Sequence, residues 1–373
     1  WTMKIGIITY PLNNNYGNLL QAYALMSYLK KGGCDVELID KRVYKISTLN
    51  RFKKSIKLII AYLFKDLLFK KYSYFYINLG FSSFIRKNIK PKTKTIYDEN
   101  QLNNIVRKGN YDLIIVGSDQ VWRKEYMKNN IQLYFLSFVP DNIKKISYSA
   151  SFGVDYWQFD KNETDKLKKY LSTFNGISVR EDSAVGLIKD NIGINAKHII
   201  DPTLLLNVDD YLNLSFKKKN KIEQKYLFCY ILDDDDEKMK IIDFVSDSLK
   251  INSRMDFSLN GIKKNNMQIM PNNPIENWLL QMYHSEFVVT DSFHGVVFSI
   301  LFNKPFIVIP NTNRGLTRFT SLLNMFKIDG RIVDNIKNLK NALIKDIDWN
   351  VVNSELNERR KEASRFIISC LNN

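Results

Sequence analysis

The chain has 373 residues, of which 45% are hydrophobic and 25% charged, a globular composition long enough for two α/β domains rather than one small one. Its formal net charge of +16 directs attention to anionic partners, yet no helix-turn-helix, zinc finger or aromatic RNA-binding signature accompanies the charge, which argues against nucleic acid. Cys34, Cys229 and Cys370 lack redox or metal spacing, the three histidines are dispersed, and neither a leader nor an apolar run of membrane-spanning length is present, so the expectation is a metal-free, cytoplasmic protein with reduced cysteines.

The strand pattern opens at Lys4, after Trp1 and Thr2. Lys4 to Thr9 reads as a buried strand, Leu19 to Lys31 as an amphipathic helix and Asp35 to Ile39 as the next strand. Between Lys41 and Lys94, lysine and arginine alternate with Phe, Tyr, Leu and Ile at helical spacing. Two readings stand for this basic segment: an interfacial helix on anionic lipid, which would make the protein peripheral at the cytoplasmic membrane face, or an ordinary helical insertion with a solvated lysine face. Leu113 to Val116, Ile146 to Ala150, Gly176 to Val179 and Ile199 to Ile200 follow as continuously apolar strands, the mark of a parallel sheet covered on both faces. A second βα series begins with strand Tyr226 to Leu232, an acidic turn Asp233 to Asp236 read as solvated, and helix Glu237 to Leu249. Helix Pro274 to Tyr283, strand Phe287 to Thr290, helix Gly295 to Phe302, strand Pro305 to Ile309 and helix Leu316 to Phe326 continue it, and Val352 to Leu371 is a last amphipathic helix. The prediction is two doubly wound, Rossmann-like α/β domains facing across a cleft: residues 3–206 with a basic helical insertion at about 41–95, residues 207–345, and a C-terminal helix, 346–373, crossing the junction.

Ligands of such folds bind beyond the carboxyl ends of the strands, so the residues there are the candidates. Asn15 and Gly17 open the first helix, where backbone N–H groups hold an anion or simply form a tight turn. Ser118, Asp119, Gln120 and Trp122 follow the third strand. Asp119 there is suited to orienting or deprotonating a sugar hydroxyl and Trp122 to stacking on a sugar ring, with helix capping as the plainer reading. Arg180 ends another strand, either gripping a carboxylate or phosphate or pairing with Glu181 or Asp182. Ser292, His294 and Gly295 stand where a strand turns into a helix, a place suited to protonating or hydrogen-bonding a bound anion, and Lys304 and Arg314 flank the next strand. His198 and His284 have no clustered polar neighbours and read as structural.

The combination GSDQVW (117–122), SYSASFG (147–153), SVRED (178–182), DPTLLL (201–206) and TDSFHGVVFSILFNKPFIVI (290–309) resembles the polysaccharide pyruvyl transferase family. The resemblance implies a glycosyltransferase-B-like fold and an enzyme that forms pyruvate ketals on a surface-polysaccharide precursor, with phosphoenolpyruvate as co-substrate and no other cofactor. It implies His294 as general acid and Arg180 and Arg314 as donor-gripping cations; Asp119 is assigned to the acceptor hydroxyl, and the acceptor is a sugar carried on a lipid-linked oligosaccharide or presented free. Many family members carry an arginine two residues before this histidine, where this chain has Ser292. Two rival readings remain at the level of sequence. One is a glycosyltransferase of the same architecture using a nucleotide-sugar, against which Pro310 to Lys327 offers no carboxylate for a ribose. The other is a non-catalytic, membrane-associated binding protein.

Overall fold

The computed structural model describes residues 3–42, 80–215, 224–233, 235–257, 275–311 and 315–372. Most of the basic segment, residues 43–79, lies outside them, as does Arg314. In the first lobe, strands β1 (Lys4–Ile8), β2 (Asp35–Leu38), β3 (Leu113–Val116), β4 (Lys144–Ala150), β5 (Gly176–Val179) and β6 (Lys197–His198) form one parallel sheet in the order β2-β1-β3-β4-β5-β6. β1 and β3 are buried along almost their whole length, as continuous apolar runs require when helices cover both faces. Helices α1 (Tyr16–Lys31), α2 (Glu99–Lys108), the one-turn α3 (Lys124–Met127), α4 (Lys161–Leu171) and α5 (Asp182–Ile192) surround it. The last strand forms at Lys197–His198, not at the more apolar Ile199 and Ile200, which pack in the core just beyond it.

After the short α6 (Val208–Leu212), strands β7 (Tyr226–Ile231), β8 (Asn252–Phe257), β9 (Phe287–Thr290) and β10 (Phe306–Val308) form a second parallel sheet in the order β10-β9-β7-β8. Its helices are α7 (Asp236–Leu249), α8 (Ile275–His284), α9 (Phe293–Leu301), α10 (Thr317–Met325) and α11 (Ile336–Ile344), and α12 (Trp349–Asn372) closes the chain. β8, with the sequence NSRMDF, carries no apolar run and is an edge strand that pattern reading passes over.

One apolar cluster runs through both lobes: Leu19, Leu20 and Leu25 of α1 pack in the same core as Trp278, Val297 and Phe298 of the second lobe. At the seam the Tyr16 ring stacks on Trp278, 5.0 Å between centroids and 12° from parallel. The final helix lies against the first lobe, with Arg360 donating to the carbonyls of Leu204 and Leu206, while Lys327 of the second lobe reaches Glu355 on the same helix at 3.1 Å. The acidic turn is exposed at Asp235 and Asp236 and anchored at its start: buried Asp291 accepts from the backbone of Leu232 and Asp233 and from Lys238, and Asp235 caps α7. Among the described residues, no helix is long and apolar enough to cross a membrane.

Candidate active site

Each sheet has one point where strand order reverses, between β1 and β3 in the first and between β7 and β9 in the second. The carboxyl ends of those strands meet around one cavity of about 190 Å³. Tyr10, Asn13, Asn15, Asn18, Asp119, Gln120 and Tyr126 line it from the first lobe, and Leu232, Ser292, Phe293, His294 and Arg318 from the second. Helices α1 and α9 both begin at this cavity, so two positive dipole ends flank it; Asn15 caps α1 by accepting from Asn18 N, while α9 has no side-chain cap.

His294 is the second residue of α9 and only 7% exposed. Its Nε2 stands 3.5 Å from Oδ2 of Asp201, and its Nδ1 edge lies over Gly17, where an added Cβ would come within 1.9 Å of that nitrogen. Glycine is therefore required at position 17 by close approach of the imidazole, not by a turn. Asp201, fully buried, is the hub behind the histidine. It accepts from Ser118 Oγ at 3.1 Å, from Thr203 N at 3.0 Å and Oγ1 at 2.7 Å, and from Arg180 Nη1 at 3.3 Å. Burial opposes its ionisation, but His294, Arg180 and the Thr203 N–H outweigh that and hold the carboxyl well below the usual range.

Arg180 lies one layer deeper than the cavity wall. Its guanidinium carbon sits 4.2 Å from the centroid of the Phe293 ring, and its nitrogens face Asp201, Glu181 at 3.4 Å and Asp119 at 3.9 Å. Burial disfavours its charge, but the three carboxylates more than compensate, so it stays protonated more firmly than a free arginine. Arg318, in the first turn of α10, approaches the same Phe293 ring, 5.8 Å from its centroid, and does line the cavity. Its pKa is pushed down to about 10, by burial first and by the neighbouring Arg180 second, with Glu181 and Asp119 offsetting part of this. A second buried cation beside the first is costly, and an arriving anion relieves that cost.

The sequence candidates separate under this geometry. Asn15, Asp119, Gln120, Ser292 and His294 line the cavity and Gly17 supports the histidine. Asp119 holds φ at +79°, a left-handed conformation that aspartate tolerates, and the turn pairs its backbone with Ala150 and Ser151. The same turn carries Trp122 away from the cavity: its indole is buried, stacked on Phe135 at 4.9 Å and bonded to the Tyr134 carbonyl, so a sugar-stacking role for Trp122 is corrected to a core role. Ser118 is buried on Asp201, and Gly295 packs α9 on β9, where a Cβ would strike Thr290 Oγ1 at 2.2 Å; neither lines the cavity. Lys304 precedes β10, at the opposite edge of the sheet, with its ammonium 5.5 Å over the Tyr283 ring. Arg314 lies outside the described residues.

Sequence reasoning missed Asp201 and Arg318. Asp201 was visible only as the Asp of DPT, which reads as a turn cap, and in part it is one: its side chain accepts from Thr203 N. Arg318 stands four residues after Arg314 in RGLTR, and only the start of α10 at Thr317 decides that it points inward. Gly315, just before α10, lies against the first lobe, where an added Cβ would come 2.2 Å from the Gly153 carbonyl oxygen.

Two parallel α/β sheets with facing switch points define a glycosyltransferase-B-like enzyme fold. Solved structures agree. UDP-GlcNAc 2-epimerase from Neisseria meningitidis bound to UDP-GlcNAc is 10% identical, with 99% of each chain covered and a TM-score of 0.53. The S. aureus MnaA–UDP co-structure is 12% identical, with 99% of this chain and 97% of that chain covered and a TM-score of 0.53. The Methanocaldococcus jannaschii UDP-GlcNAc 2-epimerase is 13% identical, with 93% of each covered and a TM-score of 0.51. No curated protein sequence matches the chain. Residues 15–313 match the family described as polysaccharide pyruvyl transferase, and the chain belongs to that family of enzymes.

Proposed function

We propose that the protein transfers the enolpyruvyl group of phosphoenolpyruvate to two hydroxyls of one sugar in a surface-polysaccharide precursor, forming a cyclic pyruvate ketal, with His294 as general acid. The observation that carries this reading is the convergence on one 190 Å³ cavity of an imidazole, the Arg318 guanidinium and the amino ends of α1 and α9. That volume falls below the ~300–1,000 Å³ typical of sites for larger ligands and suits a three-carbon phosphorylated acid better than a whole nucleotide-sugar. Arg318 and the helix ends supply positive potential for a carboxylate and a phosphate. Arg180, enclosed by three carboxylates, acts through Asp201 and Asp119 instead of gripping the donor directly.

In the reaction, protonation of the enol methylene carbon makes it a methyl group and leaves an oxocarbenium-like centre at the adjacent carbon. One sugar hydroxyl attacks that carbon, its proton passing to Asp119. The bond to the phosphate oxygen breaks, and the second hydroxyl closes the ring. Of the two hydroxyl protons, one replaces that given to the methyl group and the other leaves with hydrogen phosphate. Asp201, 3.5 Å from Nε2, and Gly17, beneath the Nδ1 edge, together fix the imidazole at the cavity wall, where the donor would meet it. The reading extends to a lipid-linked acceptor reached at the membrane face through the basic Lys41–Lys94 segment, which liposome co-sedimentation tests.

Incubation with phosphoenolpyruvate and a panel of model glycosides should release phosphate and add a pyruvate ketal to the sugar by mass. His294→Gln should lower kcat by at least about 100-fold with an unchanged circular dichroism spectrum. A near-normal rate in that variant removes His294 from the mechanism, and turnover of a nucleotide-sugar but not phosphoenolpyruvate overturns the assignment of donor.

A further inference from the structure

A second, larger concavity of about 1010 Å³ opens on the first lobe, built by the segments that follow β3 and β4. Its wall includes Tyr156, Trp157 and Tyr170, with Gln132, Gln158 and Lys128 among its polar groups. Tyr156 is 55% exposed, unusual for a side chain with a ring to bury, while Trp157 is pinned edge-on against Phe159 at 5.0 Å and by its indole N–H to Thr164. The floor is therefore firm and the outermost ring is presented to solvent. Only the single turn of α3 separates this groove from the catalytic cavity: Tyr126 faces the cavity, whereas Lys124, Glu125 and Lys128 face the groove. Arg123 spans the divide, stacked on Tyr126 at 4.4 Å, donating to Gln120 on one side and to Glu125 on the other. Tyr126, itself 36% exposed, continues the row of accessible rings toward His294.

We infer that this groove binds the acceptor glycan, seating sugars away from the reacting one and running their chain past Tyr126 into the cavity. Flat rings bordered by amides and a few charges of both signs suit the alternating apolar faces and hydroxyl edges of a saccharide. The groove is also far larger than the donor cavity and lies only one helical turn away from it, within reach of an extended acceptor. This inference rests on the proposed pyruvyl transfer for the identity of its occupant, but its test does not depend on turnover.

Calorimetry of the full chain against one-, two- and four-sugar oligosaccharides terminating in galactose, glucose or mannose, without phosphoenolpyruvate, measures groove binding alone. A separate titration with phosphoenolpyruvate measures the donor site. Affinity for at least one oligosaccharide should rise from one sugar to four. Tyr156→Ala should weaken it about tenfold, Tyr156→Phe should retain it, and phosphoenolpyruvate binding should be equal in all three proteins. Equal oligosaccharide affinity in the wild type and Tyr156→Ala overturns the inference, as does an absence of binding to every oligosaccharide in a protein that binds phosphoenolpyruvate. Tyr156-dependent glycan binding without phosphoenolpyruvate binding upholds the groove and defeats the donor assignment instead.

Discussion

Under the proposed function, Arg318 and His294 divide the demands of a small anionic ligand between them, and each is held by a different device. The histidine is wedged between Gly17 and Asp201, so its ring has little freedom. The arginine is kept charged against burial and against Arg180. Because its pKa in the folded protein lies below that of a free arginine, the unfavourable charge is present in full at neutral pH and fades only as pH rises past about 10. Arg318→Met, which keeps the length and removes the charge, should therefore leave the ligand-free melting temperature equal or about 2–4 °C higher. The proposed function expects phosphoenolpyruvate to stabilise the wild type by about 2.7 kcal/mol at a hundredfold excess over Kd, and the same variant should lose that stabilisation. A ligand-free melting temperature clearly below wild type would show that Arg318 serves the fold and not the ligand.

Among the elements, α9, α10 and α12 carry the second lobe's contribution to the site or its alignment. α9 starts where β9 ends, because Thr290 Oγ1 both accepts from Ser292 N and donates to the Tyr230 carbonyl, fixing the turn that presents Phe293 and His294. α10 docks on the first lobe through Ser321 Oγ, which accepts from the Asp182 backbone at the start of α5. α12 clamps the chain between the lobes: Arg360 donates to Leu204 at 2.7 Å and Leu206 at 2.6 Å, two carbonyls just downstream of Asp201. Arg360→Ala removes both charge-assisted bonds and should lower unfolding free energy by about 2 kcal/mol in urea titration. If that segment sets the position of Asp201, kcat should fall as well, whereas a purely local role would leave kcat unchanged.

At the scale of the molecule, the two lobes are joined by an apolar core and by one buried carboxylate. Asp201 holds Ser118 and Arg180 of its own lobe and faces His294 of the other. Since its folded pKa is lowered, its contribution is complete above the ordinary carboxylate value of about 3.9, declines below it, and is gone once pH falls beneath the lowered value. Asp201→Asn should cost about 3 kcal/mol, the penalty of removing one of the buried carboxylates that face Arg180, and that cost should shrink once pH falls below about 4. Denaturant titration on either side of that pH measures this. A difference that kept growing as pH fell below about 4 would contradict the assigned direction.

The presence of two parallel sheets and most of their strands were legible in the chain, because a strand covered on both faces must be apolar throughout, as LIIV and FVVT are. His294 was legible for a related reason: a polar run between a buried strand and a buried helix has only the sheet edge on which to lie. The low-hydrophobicity edge strand β8 was not, and neither were the fates of Trp122, Arg180, Asp201 and Arg318. Local sequence states which residue types follow a strand; it does not state which side of a turn they take, and Asp119 in its left-handed conformation sends Trp122 inward and leaves Gln120 on the cavity. Whether an arginine grips a ligand or a carboxylate depends on partners far along the chain. Arg180 meets Asp201 from 21 residues away and shares Phe293 with Arg318 from the other lobe, a grouping that only the packing of both sheets brings about.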